Sequence, residues 1–99
     1  MKERRRERLR SLLIRELSDI IRTEIDLPDN VFVTVHDVHL SKDGSRATVF
    51  ISALRKEDAL KALEILNRAA GYIHHILGKR LKLRVVPRPE FVISLGDLL

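Results

Sequence analysis

Positive charge without acidic neighbours is the most informative chemistry in this sequence. Between Ile65 and Pro89 there are six basic residues and no Asp or Glu, whereas the segment from Ser11 to Glu64 holds seven basic residues against ten acidic ones. Segregation of this kind creates a local positive field, which binds phosphate more often than any other ligand. The pattern therefore predicts a nucleic-acid-binding surface. Its basic residues are Arg68, Lys79, Arg80, Lys82, Arg84 and Arg88.

A glycine interrupts a helical pattern in the middle of this stretch, at Ala69-Ala70-Gly71. Glycine has no side chain to block the approach of a backbone phosphate, and a helix that begins after a break presents free N–H groups to an anion. Close packing of the helix on a sheet would explain Gly71 equally well. Both interpretations stay open.

Helical spacing extends the predicted surface. On the second predicted helix, the face opposite the apolar seam carries Lys61, Arg68, His75 and Lys79, with Glu64 as its only acid. The first helix places Arg4, Arg8 and Arg15 opposite its Leu/Ile stripe, and residues 1–10 alone carry six basic residues against two acidic ones. A solvated helix face explains the first helix about as well as a second nucleic-acid contact does.

No catalytic or metal chemistry is visible. His36 and His39 would point to opposite faces of a regular strand and supply only two ligands, and His74 and His75 diverge by about 100° on a helix. No P-loop or spaced nucleophile–base pair occurs. We expect no enzyme activity, no metal and no cofactor. Phe32 or Phe50, Phe91 and much of Tyr72 are expected in the core, so no aromatic pair is left to stack bases.

The elements that must position these residues follow from apolar periodicity. Positions 3–25 predict an amphipathic helix, and 31–40 predict a strand with a β-bulge near His36–Asp37. A turn with an Asp43-Gly44 signal leads to a second strand over 47–51. Positions 56–77 predict one helix or two joined end to end, capped by Gly78. Leu81, Leu83 and Val85 predict a third strand that places Lys82 and Arg84 on one side of the sheet, and Phe91 and Ile93 keep the same parity. Pro87 and Pro89 cannot donate ladder bonds, so the strand either ends or lies at an edge there.

These elements make one α+β domain over residues 1–99, in the order α-β-β-α-(kink)-α-β, with a three-stranded sheet packed against helices. Residues 1–10 form the basic start of the first helix, and residues 94–99 form a short C-terminal tail. The chain has no Cys and no apolar run long enough to span a membrane, which favours a soluble protein of a reducing cytoplasm.

In several blocks the sequence resembles ribosome-binding factor A, a bacterial ribosome-assembly family. The blocks are Arg15-Glu16-Leu17, Val33-Thr34-Val35, Ala47 to Ser52, Leu66 to Ile73, and Leu77 to Pro87 followed by Phe91. The resemblance implies a type-II KH-like domain in which Ala69-Ala70-Gly71 replaces the usual Gly-x-x-Gly loop. It also implies binding to the small ribosomal subunit or its precursor RNA, late maturation and 5′-end processing of that RNA, and adaptation to cold. His74 stands where members commonly carry Arg, which would make an RNA contact there pH-dependent.

The expected RNA-binding residues combine both lines of reasoning: Lys61, Arg68, Ala69, Ala70, Gly71, His74, His75, Lys79, Arg80, Lys82, Arg84, Arg88, Arg4, Arg8 and Arg15. Ribosomal proteins and other assembly factors are further expected partners, and we expect a monomer without membrane association. Two alternatives stay open, which are a basic architectural DNA-binding protein and a protein–protein docking module. A pocket that gathers His36, His39 and acids would instead favour a small enzyme.

Overall fold

Three helices and three strands follow one another in the order α-β-β-α-α-β in the computed structural model, which describes residues 2–94. This order and the α+β class confirm the predicted fold class. Of the predicted tail, residues 95–99 lie outside the described residues. The elements are α1 (Glu3–Glu24), β1 (Val33–Leu40), β2 (Arg46–Ala53), α2 (Lys56–Arg68), α3 (Ala70–Arg80) and β3 (Arg88–Ile93).

The sheet has the strand order β1-β2-β3, with β1 antiparallel and β3 parallel to β2. The register of β1 on β2 shifts between Val35 and Asp37, which confirms the predicted β-bulge. The bulge turns both Val35 and Val38 into the core although they differ in parity along the strand. One sheet face therefore buries apolar residues from all three strands, and the helices pack on that face.

The first helix is held by a narrow apolar stripe. Leu13, Leu17, Ile20 and Ile21 are buried against β1, at the spacing that keeps side chains on one helix face. Burying each such side chain contributes about 1.5–3 kcal/mol relative to leaving it exposed. The arginines on the opposite face are consequently left in solvent.

The hairpin between β1 and β2 is a loop over residues 41–45, as the sequence predicts. Gly44 has φ 75°, in the left-handed region that glycine adopts without steric cost. Asp43 Oδ1 accepts hydrogen bonds from the Ser45 and Ser41 hydroxyls and from the Ser45 N–H. The Ser45 hydroxyl and N–H are the main reason that the pKa of Asp43 falls to about 2, so the stability that this carboxylate contributes to the turn is lost as the pH falls from 3.8 toward about 2.

Arg6 ties the start of α1 to the same turn. Its guanidinium donates to the carbonyl oxygens of Leu40, Ser41 and Lys42, at 2.9 Å for Leu40. Leu40 is the last residue of β1, and Ser41 and Lys42 lie in the turn that follows it, so Arg6 bonds to backbone acceptors at the end of the strand. One arginine of the basic N-terminal segment therefore has a structural role.

The third strand lies later in the chain than predicted. Residues 81–87 are irregular, and β3 begins only at Arg88, so the prediction of a strand over Leu81 to Val86 is wrong. Arg88 and Ser94 donate their N–H groups toward the β2 side, to Ser45 O and Ile51 O. By the two-residue alternation of a strand, the nitrogen of Pro89 lies on the free edge, where a proline costs no ladder bond. Leu81 and Pro87 are buried. The apolar pattern of this segment therefore arises because its residues pack on the core, and not because they form a strand.

Three further expectations are corrected. α3 continues through Gly78 to Arg80, so Gly78 does not cap it, and the break between the helices lies at Ala69. Phe91 is buried as expected, whereas Phe32 is 79% exposed and Phe50 is half-buried on the outer sheet face. Tyr72 is 51% exposed because it falls beside the buried stripe of Ile73 and Leu77.

Candidate nucleic-acid interface

The junction between α2 and α3 is a single non-helical residue. Ala69, with φ −90° and ψ 4°, is both the C-cap of α2 and the N-cap of α3. Gly71 is the second residue of α3 and is exposed, and a Cβ added to it would meet no atom within 4 Å. Close helix–sheet packing therefore does not explain Gly71. An incoming group could reach the α3 backbone there without displacing any side chain.

The exposed face of α3 continues from this point. His75 follows Gly71 by four residues, and Gly78 and Lys79 follow His75 by three and four; all four are exposed, while Ile73 and Leu77 face the core. No residue of α3 is acidic. Two glycines lower the profile of this face, and its side chains add only an imidazole and an ammonium group. A phosphate backbone could lie along it at short range.

Asn67 fixes the junction to the sheet. Its Nδ2 donates to Phe91 O at 2.9 Å, and Phe91 N–H donates to its Oδ1 at 2.8 Å. Phe91 has the same strand parity as Pro89, so these two backbone groups lie on the free edge of β3. The amide satisfies both of them and covers part of that edge. Sequence reasoning missed Asn67, because nothing local indicates a partner 24 residues away.

The segment after α3 is held by His74. Its Nε2 lies 3.0 Å from the Val86 carbonyl oxygen, so this nitrogen carries the proton and donates it. Lys82 and Arg84 are exposed on the irregular segment between Leu81 and Pro87, and they do not share a strand face as predicted. The His74 contact anchors that segment beside α3. His74 thus orients the basic loop, and its Nε2 is already engaged.

Tertiary packing neutralises one expected contact. Arg80 Nη1 lies 2.7 Å from Asp19 Oδ2 and 3.3 Å from Glu16 Oε1, both on α1. The Asp19 hydrogen bond, followed by that of Glu16, raises the pKa of Arg80, and the Arg80 hydrogen bond is the main cause that lowers the pKa of Asp19. Arg80 has no acidic neighbour in the sequence, but the fold brings two acids of α1 into contact with it.

Arg68 is different, because its partner is weak. It pairs with Glu64 one turn earlier at 2.7 Å, with side chains 78% and 70% exposed. Exposed pairs of this kind contribute about 0–1 kcal/mol, so a phosphate can compete for Arg68. Tyr72, on the next turn, donates its hydroxyl to Glu24 Oε1 at 3.1 Å, and that hydrogen bond raises the pKa of Tyr72. This contact joins α3 to the end of α1.

The remaining predicted residues fall into separate groups. Arg4, Arg8 and Arg15 line one shallow groove of about 550 Å³ on α1, together with Glu7. Lys61 is exposed on α2. Arg88 is exposed at the start of β3. Pro89 and Phe91 are buried under the helices, so Arg88, at the alternate position of the strand, lies on the outer face of the sheet. The expected surface is therefore not one continuous patch.

The two histidines of β1 make separate contacts. His36 Nε2 contacts Ser52 Oγ at 2.5 Å, while His39 Nε2 lies 3.3 Å from Asp37 Oδ2. Within residues 2–94 no cluster of three or more His, Cys, Asp or Glu side chains could hold a metal ion. None of the helices in this part of the chain is long and apolar enough to cross a membrane.

Comparison with known proteins agrees with this architecture. Residues 5–95 match the family model described as ribosome-binding factor A. Ribosome-binding factor A of Thermodesulfovibrio yellowstonii is 43% identical over 91 residues, which cover 92% of this chain and 77% of that protein.

Solved structures give the same result. The crystal structure of ribosome-binding factor A from Thermus thermophilus superposes with a TM-score of 0.75 and 37% identity, covering 88% of this chain and 93% of that one. A homology model of the T. thermophilus factor, fitted into a cryo-EM map of its complex with the 30S subunit, gives a TM-score of 0.72 and 35% identity, covering 88% and 92% of the two chains. With the matched fold, the kinked helix pair and these sequence identities together, the chain belongs to the ribosome-binding factor A family.

Proposed function

We propose that this chain is a non-enzymatic assembly factor of the cytoplasm that binds the small ribosomal subunit or its precursor RNA. It assists late maturation and 5′-end processing of that RNA. The observation that carries the proposal is the acid-free, low-profile face of α3, open to approach at Gly71. A relative of this family has been fitted into a map of a 30S complex, which supports the same partner here.

The proposed RNA surface consists of the junction, the exposed face of α3 and the basic loop after it. Each residue of this surface is either exposed or lies at the junction. His74 supports the surface by holding the loop through Val86, and Arg80 supports it by tying the end of α3 to α1. The α1 arginines Arg4, Arg8 and Arg15 form a second contact. The surface itself comprises Arg68, Ala69, Ala70, Gly71, His75, Lys79, Lys82 and Arg84, and Lys61 extends it from two turns before Arg68 on the same face of α2.

Co-sedimentation with purified subunits tests the proposal. The protein should sediment with free small subunits more strongly than with intact ribosomes. With about four phosphate contacts, the affinity should fall roughly 50- to 150-fold between about 50 and about 200 mM salt, because each contact releases counterions. Salt-insensitive binding would instead identify a protein–protein docking module, and equal binding to bulk duplex DNA would favour the architectural alternative.

Two glycine substitutions on α3 separate stability from binding. Gly71→Ala and Gly78→Ala should each stabilise the fold by up to about 1 kcal/mol, since alanine is favoured in a helix and neither new Cβ meets an atom within 4 Å. Gly71→Ala, at the junction, should also weaken subunit binding, and more strongly than Gly78→Ala, because its methyl group occupies the point at which the phosphate backbone approaches α3 most closely. Thermal melts and co-sedimentation measure the two effects. Wild-type affinity in Gly71→Ala would contradict close approach at this site.

A further inference from the structure

The outer face of the sheet is not covered by a helix in residues 2–94, and one end of it carries an arginine pair. Arg46 on β2 and Arg88 on β3 are direct partners in the parallel register, and both are exposed. They share the outer face, because the alternate positions Ala47 and Phe91 are buried in the core. Neighbouring strands lie about 4.8 Å apart, so the two side chains start from adjacent points.

The backbone holds this arginine pair firmly. Arg88 N–H donates to Ser45 O at 2.9 Å, and the Arg46 carbonyl accepts from Ser41 N–H at 2.9 Å. Like charges directly opposite each other on a sheet are destabilising. Within the described part of the chain neither guanidinium has an ion-pair partner, although Glu90 is exposed on the same face two residues after Arg88. An anion between the two arginines would relieve their repulsion.

A groove connects this pair with the helix junction. It has a volume of about 960 Å³ and runs from Arg46 and Arg88 past Pro89 to Asn67 and Ala70. His39 and Thr48 line it in the next row of the outer face. The His39 ring stands edge-on to Phe50, with centroids 4.7 Å apart, so an aromatic surface continues from the cationic end. The groove therefore passes around the free edge of β3, from the helix side to the outer face.

We propose that Arg46 and Arg88 together bind a phosphodiester of an RNA strand that continues from the α2–α3 junction around the edge of β3. The planar guanidinium group can donate two parallel hydrogen bonds to phosphate oxygens, and two adjacent groups can enclose one phosphate. This site deepens the proposed function and rests on it, because the ligand is the same RNA. It adds a contact on the face opposite the helices and brings in Arg46.

Substitutions that are expected to change RNA binding in opposite directions test the arginine pair. Each phosphate contact contributes a log–log salt slope of about −0.7 to −0.9, so Arg46→Ala or Arg88→Ala should weaken subunit binding about five- to eightfold at about 0.1 M salt and reduce the slope by about one. Glu90→Gln should strengthen binding about twofold, because it removes a negative charge near the phosphate. Arg55→Ala is the matched control, since Arg55 is exposed beyond the opposite end of β2, where it pairs with Glu57.

Binding is measured by co-sedimentation with free small subunits and by filter retention of naked small-subunit RNA, with thermal melts to confirm folding. Wild-type affinity and slope in Arg46→Ala and Arg88→Ala, alongside salt-dependent binding of the wild type, would overturn the arginine pair and leave the proposed function standing. No binding by the wild type would overturn both. Weaker subunit binding with an unchanged salt slope and unchanged RNA retention would show that the arginines contact a protein acid, which also overturns the phosphate site.

Discussion

The double substitution Lys79→Glu/Lys82→Glu is expected to weaken association with free small subunits by roughly a hundredfold or more at about 0.1 M salt. Both side chains are exposed, and neither has an ion-pair partner in the described part of the chain. Losing two contacts costs about 25- to 60-fold at this salt concentration, and the two new carboxylates repel the phosphates further. Co-sedimentation at two salt concentrations measures the loss and the smaller slope.

The matched control is Arg55→Glu/Lys56→Glu, which changes the net charge equally but lies at the start of α2, away from the proposed surface. It should retain near-wild-type binding at both salt concentrations. Lys79 stands in the last turn of α3, where a cation contributes about 0.3–1 kcal/mol, so the melting temperature should fall by only a few degrees. Equal losses in the two double variants would mean that only net charge matters, and the α3 surface would be rejected.

Asn67→Ala is expected to destabilise the fold by about 2 kcal/mol, which lowers the melting temperature by roughly 8–16 °C in a domain of this size. The substitution leaves the N–H and C=O of Phe91 without their partner on the free edge of β3. Thermal and urea unfolding measure the loss. Lys61→Ala is the control on the same helix, because Lys61 is exposed, and its effect should stay within about 0.5 kcal/mol.

Asn67→Asp sharpens this test. The carboxylate still accepts from Phe91 N–H but places a second acceptor against Phe91 O, so the variant should be unstable near neutral pH. Protonation restores a donor, which raises the pKa of the new carboxyl in the folded state. Its stability relative to the wild type should therefore increase as the pH falls through that raised pKa. A pH-independent deficit would show that the hydrogen bond to Phe91 O contributes little.

Much of the fold was predictable because its signals are local. The apolar stripe of α1, the Asp43-Gly44 turn and the parity change that marks the β-bulge each depend on residues only a few positions apart. The third strand was misplaced because alternation over 81–86 is also compatible with an irregular segment packed on the core. The prolines left two possibilities open, that the strand ends at Pro87 and Pro89 or that it lies at an edge there, and the structure shows that β3 is an edge strand.

The candidate site was predicted in part. The junction, Gly71 and the acid-free α3 follow from residue order alone, and so does the exposure of Lys79. The ion pairs of Arg80 were not predicted, because Glu16 and Asp19 reach it from a helix more than 60 residues earlier. Nothing in the sequence indicated that Arg46 lies beside Arg88, because that proximity depends on the parallel pairing of β2 with β3, and α2 and α3 lie between these strands in the chain.

Residue order by itself determined the element sequence, the kinked helix pair and the segregation of positive charge, because helix and strand periods and turn chemistry act over a few residues. Only the tertiary structure decided which cations remain available. Ion pairing, strand register and edge position arise when distant segments meet. That is why Arg80 is paired with acids of α1, Asn67 is hydrogen-bonded to the edge of β3, and Arg46 stands beside Arg88 on the outer face.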